Sequence, residues 1–557
     1  MPRIRTRWIV LAAVLVLLVM VGEASAAPPH LDVTPSSVLM FAQTGDAVTM
    51  PSSAVLNVAN LSGGSMAWTA GASPSWINIT PTVASAPGPL TVTLADVGSM
   101  TTGTVTYDGV ITVSAVTSGT TNTPQVISVT FKVVTTVYQV RLLLIFHDYT
   151  LPGAPSPITP TDPYYGLQWG LAQVQAGMAW NLSTGSPSVT LAVLDTGVDT
   201  THPDLVSKLV PGHNFANGSD DTNYQDTCGH GTHVAGIAAA ATNNAIGVAG
   251  LGWDTKIMPV KVLGGSSCTG SYADVIRGID WAVSHGAQVI NLSLGGSYDS
   301  VLDPATTNAF NSGTLVVAAA GNCGGFDWLY QGCSSQNQLF SPAGNAHVLG
   351  AAATNSSDTR AAFSTANTTV DIAAPGVSIY STWPGGYQYD DGTSMATPFV
   401  SGLASLVYAR FPSYTPTQVA QAILANADLV GGETGWSQEY GCGRMNAYRT
   451  LASGVSGSCA GWGGLAAGGL GAASLSPTVA GRDYVPGQLL VVLRAGSDRL
   501  QALAMANRYG STMSDLVPRW RVYRLHVPMG QEQAVLNALR ADPSVEVVSL
   551  NGIMRPW

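Results

Sequence analysis

The sequence predicts an α/β fold, a doubly wound parallel sheet, preceded by an all-β sandwich and followed by a small α+β domain of ferredoxin type. Three observations carry this. Short β-branched runs at period two fill the first quarter of the chain, apolar strands alternate with helical stretches through the middle, and residues 483–557 read β-α-β-β-α-β. A chain of 557 residues is too long for one core and suits about three domains.

Residues 1–26 hold Arg3, Arg5 and Arg7, an apolar run from Trp8 to Val21, then Ala24-Ser25-Ala26. A positive start, a short apolar run and a small-residue cleavage site read as a secretory signal peptide. The run is shorter than the roughly 20 residues that a membrane span needs. No second apolar span follows, so none is expected once the signal is removed.

Residues 28–135 are expected to form the sandwich, with strands around Val55–Asn60, Leu90–Leu94, Val110–Ser114 and Val126–Phe131. The run Asn60-Leu61-Ser62-Gly63-Gly64-Ser65, with Trp68 and Ser75-Trp76-Ile77, resembles bacterial Ig-like modules of BACON type. Trp68 and Trp76 are read as core residues in preference to a carbohydrate platform. A Pro-rich connector opens the next domain, residues 152–452. There strands near 189–194, 257–263, 289–294, 314–319 and 347–353 alternate with helices near 233–241, 272–284 and 306–312. In such a sheet ligands gather at the carboxyl ends of strands. Residues 453–481 are a Gly/Ala/Ser-rich linker.

The chemistry sits in three ordered motifs. Val193-Leu194-Asp195-Thr196-Gly197 delivers an Asp onto a turn, and His230-Gly231-Thr232-His233 opens a small-residue helix. Gly392-Thr393-Ser394-Met395-Ala396-Thr397-Pro398 starts another helix, with Pro398 read as part of its first turn. Asp, His, Ser along the chain is the subtilisin order, unlike chymotrypsin or the α/β-hydrolases. Over residues 162–451 the chain resembles the subtilisin-like serine proteases, or subtilases. The resemblance implies Ser394 as nucleophile, His230 as general base and Asp195 as the group that orients it. Ala318-Ala319-Ala320-Gly321-Asn322 resembles the strand whose Asn donates to the oxyanion. Phe399 stands where the family usually has His. His233 is read as structural, since no HExxH accompanies it, and His202-Pro203-Asp204-Leu205 resembles a family turn, with His202 no catalyst.

The same resemblance makes protein or peptide chains the substrates, bound as an added strand between Gly270-Ser271-Tyr272 and Ser293-Leu294-Gly295. Tyr272 is expected over an apolar subsite, and the aromatic run between Cys323 and Cys333 at the rim of the primary pocket. It also implies structural Ca²⁺, held by Asp162, Asn214, Thr242, Asn244, Ile246 and Val248, with Asn214 where a carboxylate is usual. Asp220, Asp221 and Asp226 are candidates for a second site or a solvated loop.

The last domain resembles a subtilase prodomain, moved from its usual place before the catalytic domain. Intramolecular inhibition is therefore expected, with residues 549–557 as the strand that enters the cleft. Six cysteines in an exported chain favour disulfides over zinc, as no CxxC pair occurs; sequential or near-sequential pairing is preferred among 15 alternatives. A net charge of −10 without a basic block excludes a general nucleic-acid binder. The rival to a secreted endopeptidase is a cell-surface binding protein with an inert protease fold.

Overall fold

The computed structural model describes residues 30–34, 37–43, 53–60, 65–95, 106–118, 120–134, 156–325, 333, 335–455, 457–459 and 484–557. The signal peptide, most of the Gly/Ala/Ser linker and the aromatic run 326–332 lie outside them. The chain forms two compact units, residues 1–154 and 155–557.

The first unit is a sandwich. Strands β1 (Leu31–Thr34), β3 (Ala54–Asn60), β7 (Gly88–Leu94) and β5 (Ile77–Thr80) make one sheet, in the order β1-β3-β7-β5. The other runs β2-β9-β8-β4-β6, from β2 (Ser37–Gln43), β4 (Met66–Ser73), β6 (Val83–Ala86), β8 (Thr106–Ala115) and β9 (Gln125–Val134). Period-two alternation turns Leu56, Val58, Leu90, Val92, Ile111 and Val113 inward to a shared core. Trp68 is fully buried there, while Trp76 is half-buried against Tyr107 and Phe131.

The second unit is built on an all-parallel sheet of order β11-β12-β10-β14-β16-β18-β19. Its strands are β10 (Thr190–Asp195), β11 (His213–Asn214), β12 (Lys256–Lys261), β14 (Val289–Leu292), β16 (Leu315–Ala319), β18 (Val348–Thr354) and β19 (Ile372–Pro375). β10, β14, β16 and β18 are buried on both faces, as expected when helices cover a parallel sheet. Helices His230–Ala239, Thr393–Arg410 and Pro416–Ala425 supply the core on one side. Helices Tyr272–Ser284 and Asp303–Asn311 supply it on the other. The run expected as one strand to residue 294 divides at Ser293: β15 (Leu294–Ser297) leaves the parallel sheet for a different one.

Residues 484–557 form β22 (Tyr484–Leu493), a helix, β23 (Thr512–Val517), β24 (Val522–His526), a second helix and β25 (Val545–Pro556). The antiparallel order β25-β22-β24-β23 is the ferredoxin-like split. Along β22, Leu489, Val491 and Leu493 face its own helices. Leu490 and Val492 instead join Val522 and Trp520 in the core shared with helix Tyr272–Ser284. β25 runs past the expected end of its strand and pairs antiparallel with β13 (Gly270–Ser271) and β15. β17 (Phe340–Ser341) closes that sheet beyond β15, and a hairpin of β20 (Ile379–Trp383) and β21 (Gly386–Asp390) lies apart.

All six cysteines pair sequentially: Cys228–Cys268, Cys323–Cys333 and Cys442–Cys459. No helix among the described residues is long and apolar enough to cross a membrane.

Candidate active site

Three strands of the parallel sheet end at one edge, and each delivers part of the site. Asp195 terminates β10, Ser293 follows β14, and Asn322 follows β16 by a Gly321 turn. His230 opens its helix behind Gly229, which has φ 99° and whose missing Cβ would sit 2.2 Å from the Trp383 ring. Asp226 fixes the same turn from below. Its carboxylate accepts the N–H groups of Cys228, Gly229 and Thr232 at 2.9 Å each and the Thr232 hydroxyl at 2.6 Å.

Asp195 is fully buried, and its Oδ1 accepts from Thr196 N–H at 2.7 Å and from His230 Nδ1–H at 2.8 Å. Burial works against the imidazolium, but Asp195 beside it outweighs this and holds the His230 pKa above its ordinary value. His233 is driven the other way by burial, to about 4, and its Nε2–H donates to Ile379 O and Gln388 O. It is a neutral packing residue. His202 likewise bonds Gly386 O and the N–H of Asp204.

Ser394 sits in the first turn of helix Thr393–Arg410, while Pro398 lies deeper inside the helix than the sequence suggested. Proline has no N–H to give the carbonyl four residues back, which is that of Ser394. That carbonyl accepts instead from Ser293 Oγ at 2.8 Å. A buried chain then runs outward: Asn291 Nδ2 donates to Ser293 Oγ at 3.0 Å, and Ser401 Oγ donates to Asn291 Oδ1 at 2.9 Å. Ser394 Oγ itself donates to Ser293 O at 2.9 Å, and His230 Nε2 is buried with no partner among the described residues. Asn322 Oδ1 is taken by the N–H and hydroxyl of Thr393, at 3.0 and 2.9 Å, which leaves its amide N–H₂ as donor. Phe399 packs in the core against Gly170.

The tail of β25 lies between β13 and β15 and reaches Ser394. Met554 and Ile553 pair with Gly270 and Ser271, and Pro556 and Arg555 with Leu294 and Gly295. Trp557 O accepts the Ser394 N–H at 3.0 Å, and Trp557 N–H donates to Ser394 Oγ at 2.9 Å. Tyr272 is buried, lies against Gly552 and Gly296, and bonds Ser297 O through its hydroxyl. Met554 is fully buried in the same cluster as Tyr272 and Leu294.

The residues expected to hold an ion divide into two places. Asp162 Oδ2 accepts from Asn243 N–H at 2.7 Å, beside Asn244 and Thr242. Asp204, which sequence reading passed over as part of the His202-Pro203-Asp204-Leu205 turn, belongs here. It accepts from Asn244 Nδ2 at 2.9 Å and from Val248 N–H at 2.9 Å. Burial, and the charge of Asp204 opposing backbone bonds, leave the Asp162 pKa raised. Asn214 instead bonds Asp221 and Ala216 N–H on β11 and its turn. Of the acidic loop, Asp226 faces the His230 turn, while Asp220 pairs with His213 and Arg277. Among the described residues no three His, Cys, Asp or Glu side chains cluster as a metal site.

Two family descriptions match this chain: the subtilase family over residues 186–443, and the fervidolysin N-terminal prodomain over residues 471–551. Thermitase of Thermoactinomyces vulgaris is 41% identical over 297 residues, covering 53% of this chain and 99% of thermitase. A thermophilic serine proteinase of Bacillus sp. (strain AK1) is 42% identical over 296 residues, 53% of this chain and 69% of that protein. Subtilisin Savinase of Lederbergia lenta is 41% identical over 283 residues, 50% of this chain and 97% of Savinase. An alignment that takes in nearly all of thermitase, on a parallel sheet with Asp195, His230 and Ser394 at one edge, leaves one conclusion: the chain belongs to the subtilase family and is a subtilisin-like serine peptidase.

Proposed function

We propose that this protein is a secreted endopeptidase in which Ser394 attacks the peptide carbonyl and His230 takes its proton, later returning it to the leaving amine. Asp195 keeps the His230 proton on Nδ1 and stabilises the imidazolium. The Ser394 N–H and the Asn322 amide are the oxyanion donors. Substrate lies as a strand between Gly270-Ser271-Tyr272 and Ser293-Leu294-Gly295. The observation that carries this reading is the contact of Trp557 O with Ser394 N–H, at 3.0 Å, by a strand paired on both cleft edges. The tail occupies the place of a substrate's acyl half.

In this arrangement the C-terminal domain, residues 483–557, is an intramolecular inhibitor of the catalytic domain, residues 152–452. Ser394 Oγ is engaged with Ser293 O and Trp557 N–H, and His230 Nε2 has no hydroxyl to accept from. The N-terminal Arg3-to-Ala26 pattern supports export. A structural Ca²⁺ would be held by two carboxylates that bond the same loop, Asp162 and Asp204, with Asn244 and the carbonyls of Thr242, Ile246 and Val248 as further oxygen donors. Asp204 replaces Asn214 in the set, so the expected missing charge is present.

A fluorophosphonate reacts with an activated serine. It should label Ser394 in a full chain whose tail is loosened by Met554→Ser and Trp557→Gly, and give no label after Ser394→Ala. A folded chain that takes no label would leave the binding-protein reading in its place.

A further inference from the structure

The Trp557 indole is buried beyond the cleft edge in a small cluster with Ala319, Cys323, Cys333 and Phe340. Its ring meets Phe340 edge-on, with centroids 4.6 Å apart at 65°. Gly295 leaves the slot open: a Cβ there would stand 1.8 Å from Trp557 Nε1. Cys323 directly follows Asn322 and is tied into the scaffold. Its N–H donates to Thr365 Oγ1 at 3.1 Å, and its carbonyl accepts from Asn337 N–H at 2.9 Å. Cys333 belongs to this cluster and is bonded to Cys323. Among the described residues the buried indole Nε1–H has no partner, and what they give the ring is shape and apolar contact.

Resting on the peptidase reading above, we propose that the Cys323–Cys333 disulfide is a wall of the primary specificity pocket. With Phe340 and Gly295 it selects substrates that place a planar aromatic residue before the scissile bond. The disulfide holds Cys333 at a fixed distance from the oxyanion residue's neighbour, so the slot keeps a ring's width. Without it, the pocket loses rigid apolar surface on one side, and small or branched side chains are no longer disfavoured relative to rings.

The test uses the full chain with Met554→Ser and Trp557→Gly, so that added substrate reaches the pocket. Four peptide nitroanilides differ only in the residue before the scissile bond: Phe, Trp, Leu or Ala. Cys323→Ala with Cys333→Ala should lower the Phe/Ala ratio of kcat/KM by about tenfold or more, most of it through KM. Gly295→Ala, which keeps the disulfide, should reduce Trp and Phe cleavage relative to Ala by a similar factor. An unchanged ratio in a folded double-cysteine variant overturns the proposal. Should that variant not fold, Gly295→Ala cleaving the aromatic peptides with the parent's preference overturns it instead. A parent that cleaves none of the four and takes no fluorophosphonate removes the peptidase reading and this proposal together; a parent that is labelled but shows no aromatic preference removes this proposal alone.

Discussion

The Ser394 N–H donates to Trp557 O at 3.0 Å while the Trp557 N–H donates to Ser394 Oγ at 2.9 Å. One residue of the tail thus engages both the backbone and the side chain of the serine proposed as nucleophile. Behind it, β25 is a single strand that is an edge of the ferredoxin-like sheet at one end and a cleft ligand at the other. Anything that weakens the tail should therefore release the site without touching the catalytic domain.

Burying a Met or Trp side chain contributes about 1.5–3 kcal/mol, and both Met554 and Trp557 are buried in the cleft. Replacing them with Ser and Gly should weaken docking by tenfold or more per residue and raise the rate of fluorophosphonate labelling. The labelling rate of the full chain against that of the double variant measures this directly. Equal rates would mean that the tail does not guard Ser394.

Ser394→Ala, which removes the proposed nucleophile, should abolish peptide hydrolysis with little change in melting temperature, since it leaves no large cavity. Asn322→Ala should lower kcat by about 10²–10³, as removal of the equivalent donor does in subtilisin, with a smaller change in KM. Steady-state kinetics of both variants in the tail-loosened chain test the assignment, which an unaltered kcat in Asn322→Ala would sink.

The elements of the site that sit in local motifs were legible in the sequence, because the motif itself builds the geometry. Asp195 follows an apolar strand and His230 opens a small-residue helix, so a sheet edge and a helix mouth were implied before any contact was known. The β-α-β-β-α-β tail was legible for the same reason: Leu489, Val491 and Leu493 alternate with Leu490 and Val492 because the sheet has two covered faces. What local pattern could not supply is which residues meet across the chain. Asp204 joins Asp162 only through the Asn244 loop, whereas Asn214, which only the resemblance implies, lies with Asp221. Pro398 looked like a helix starter; its place deeper in the helix makes sense only once Ser293 is seen to serve the carbonyl it leaves free. Ser293 itself, where a predicted strand splits between two sheets, carried no signal beyond the resemblance.

Calcium that binds only the folded chain stabilises it by mass action, by about 2.7 kcal/mol at a hundredfold excess over Kd. Chelation should lower the melting temperature, and added Ca²⁺ should restore it. Asp204→Asn should abolish most of that Ca²⁺ dependence, and Asn214→Ala should leave it in place. Calorimetry with chelator and with millimolar Ca²⁺ distinguishes the two. A full Ca²⁺ response in Asp204→Asn would return the ion to other ligands.

Docking of the tail domain should also depend on pH through Asp299. This residue lies where the catalytic domain meets the C-terminal domain, with Ser549 hydrogen-bonded to its carboxyl and Arg540 nearby. Asp303 and Tyr298 are the other titratable groups that face it. Burial is the largest influence and raises its pKa from 3.8 to about 7, against the stabilising N–H of Val301 and the Ser549 hydroxyl. An acid whose pKa is higher in the docked state binds a proton on docking. Docking is then favoured fully below the ordinary carboxylate pKa and weakens as pH rises towards 7, by at most about tenfold per unit. Above about 7 the carboxylate is charged in both states, and no further loss from this group follows. Hydrogen exchange at residues 549–557, corrected for intrinsic rates and measured in Ser394→Ala to prevent autolysis, should report faster opening at pH 7.5 than at pH 5. Asp299→Asn keeps an oxygen for the Val301 N–H but does not ionise, so it should hold the tail closed across that range. The same pH dependence in Asp299→Asn as in the parent would remove Asp299 from the mechanism.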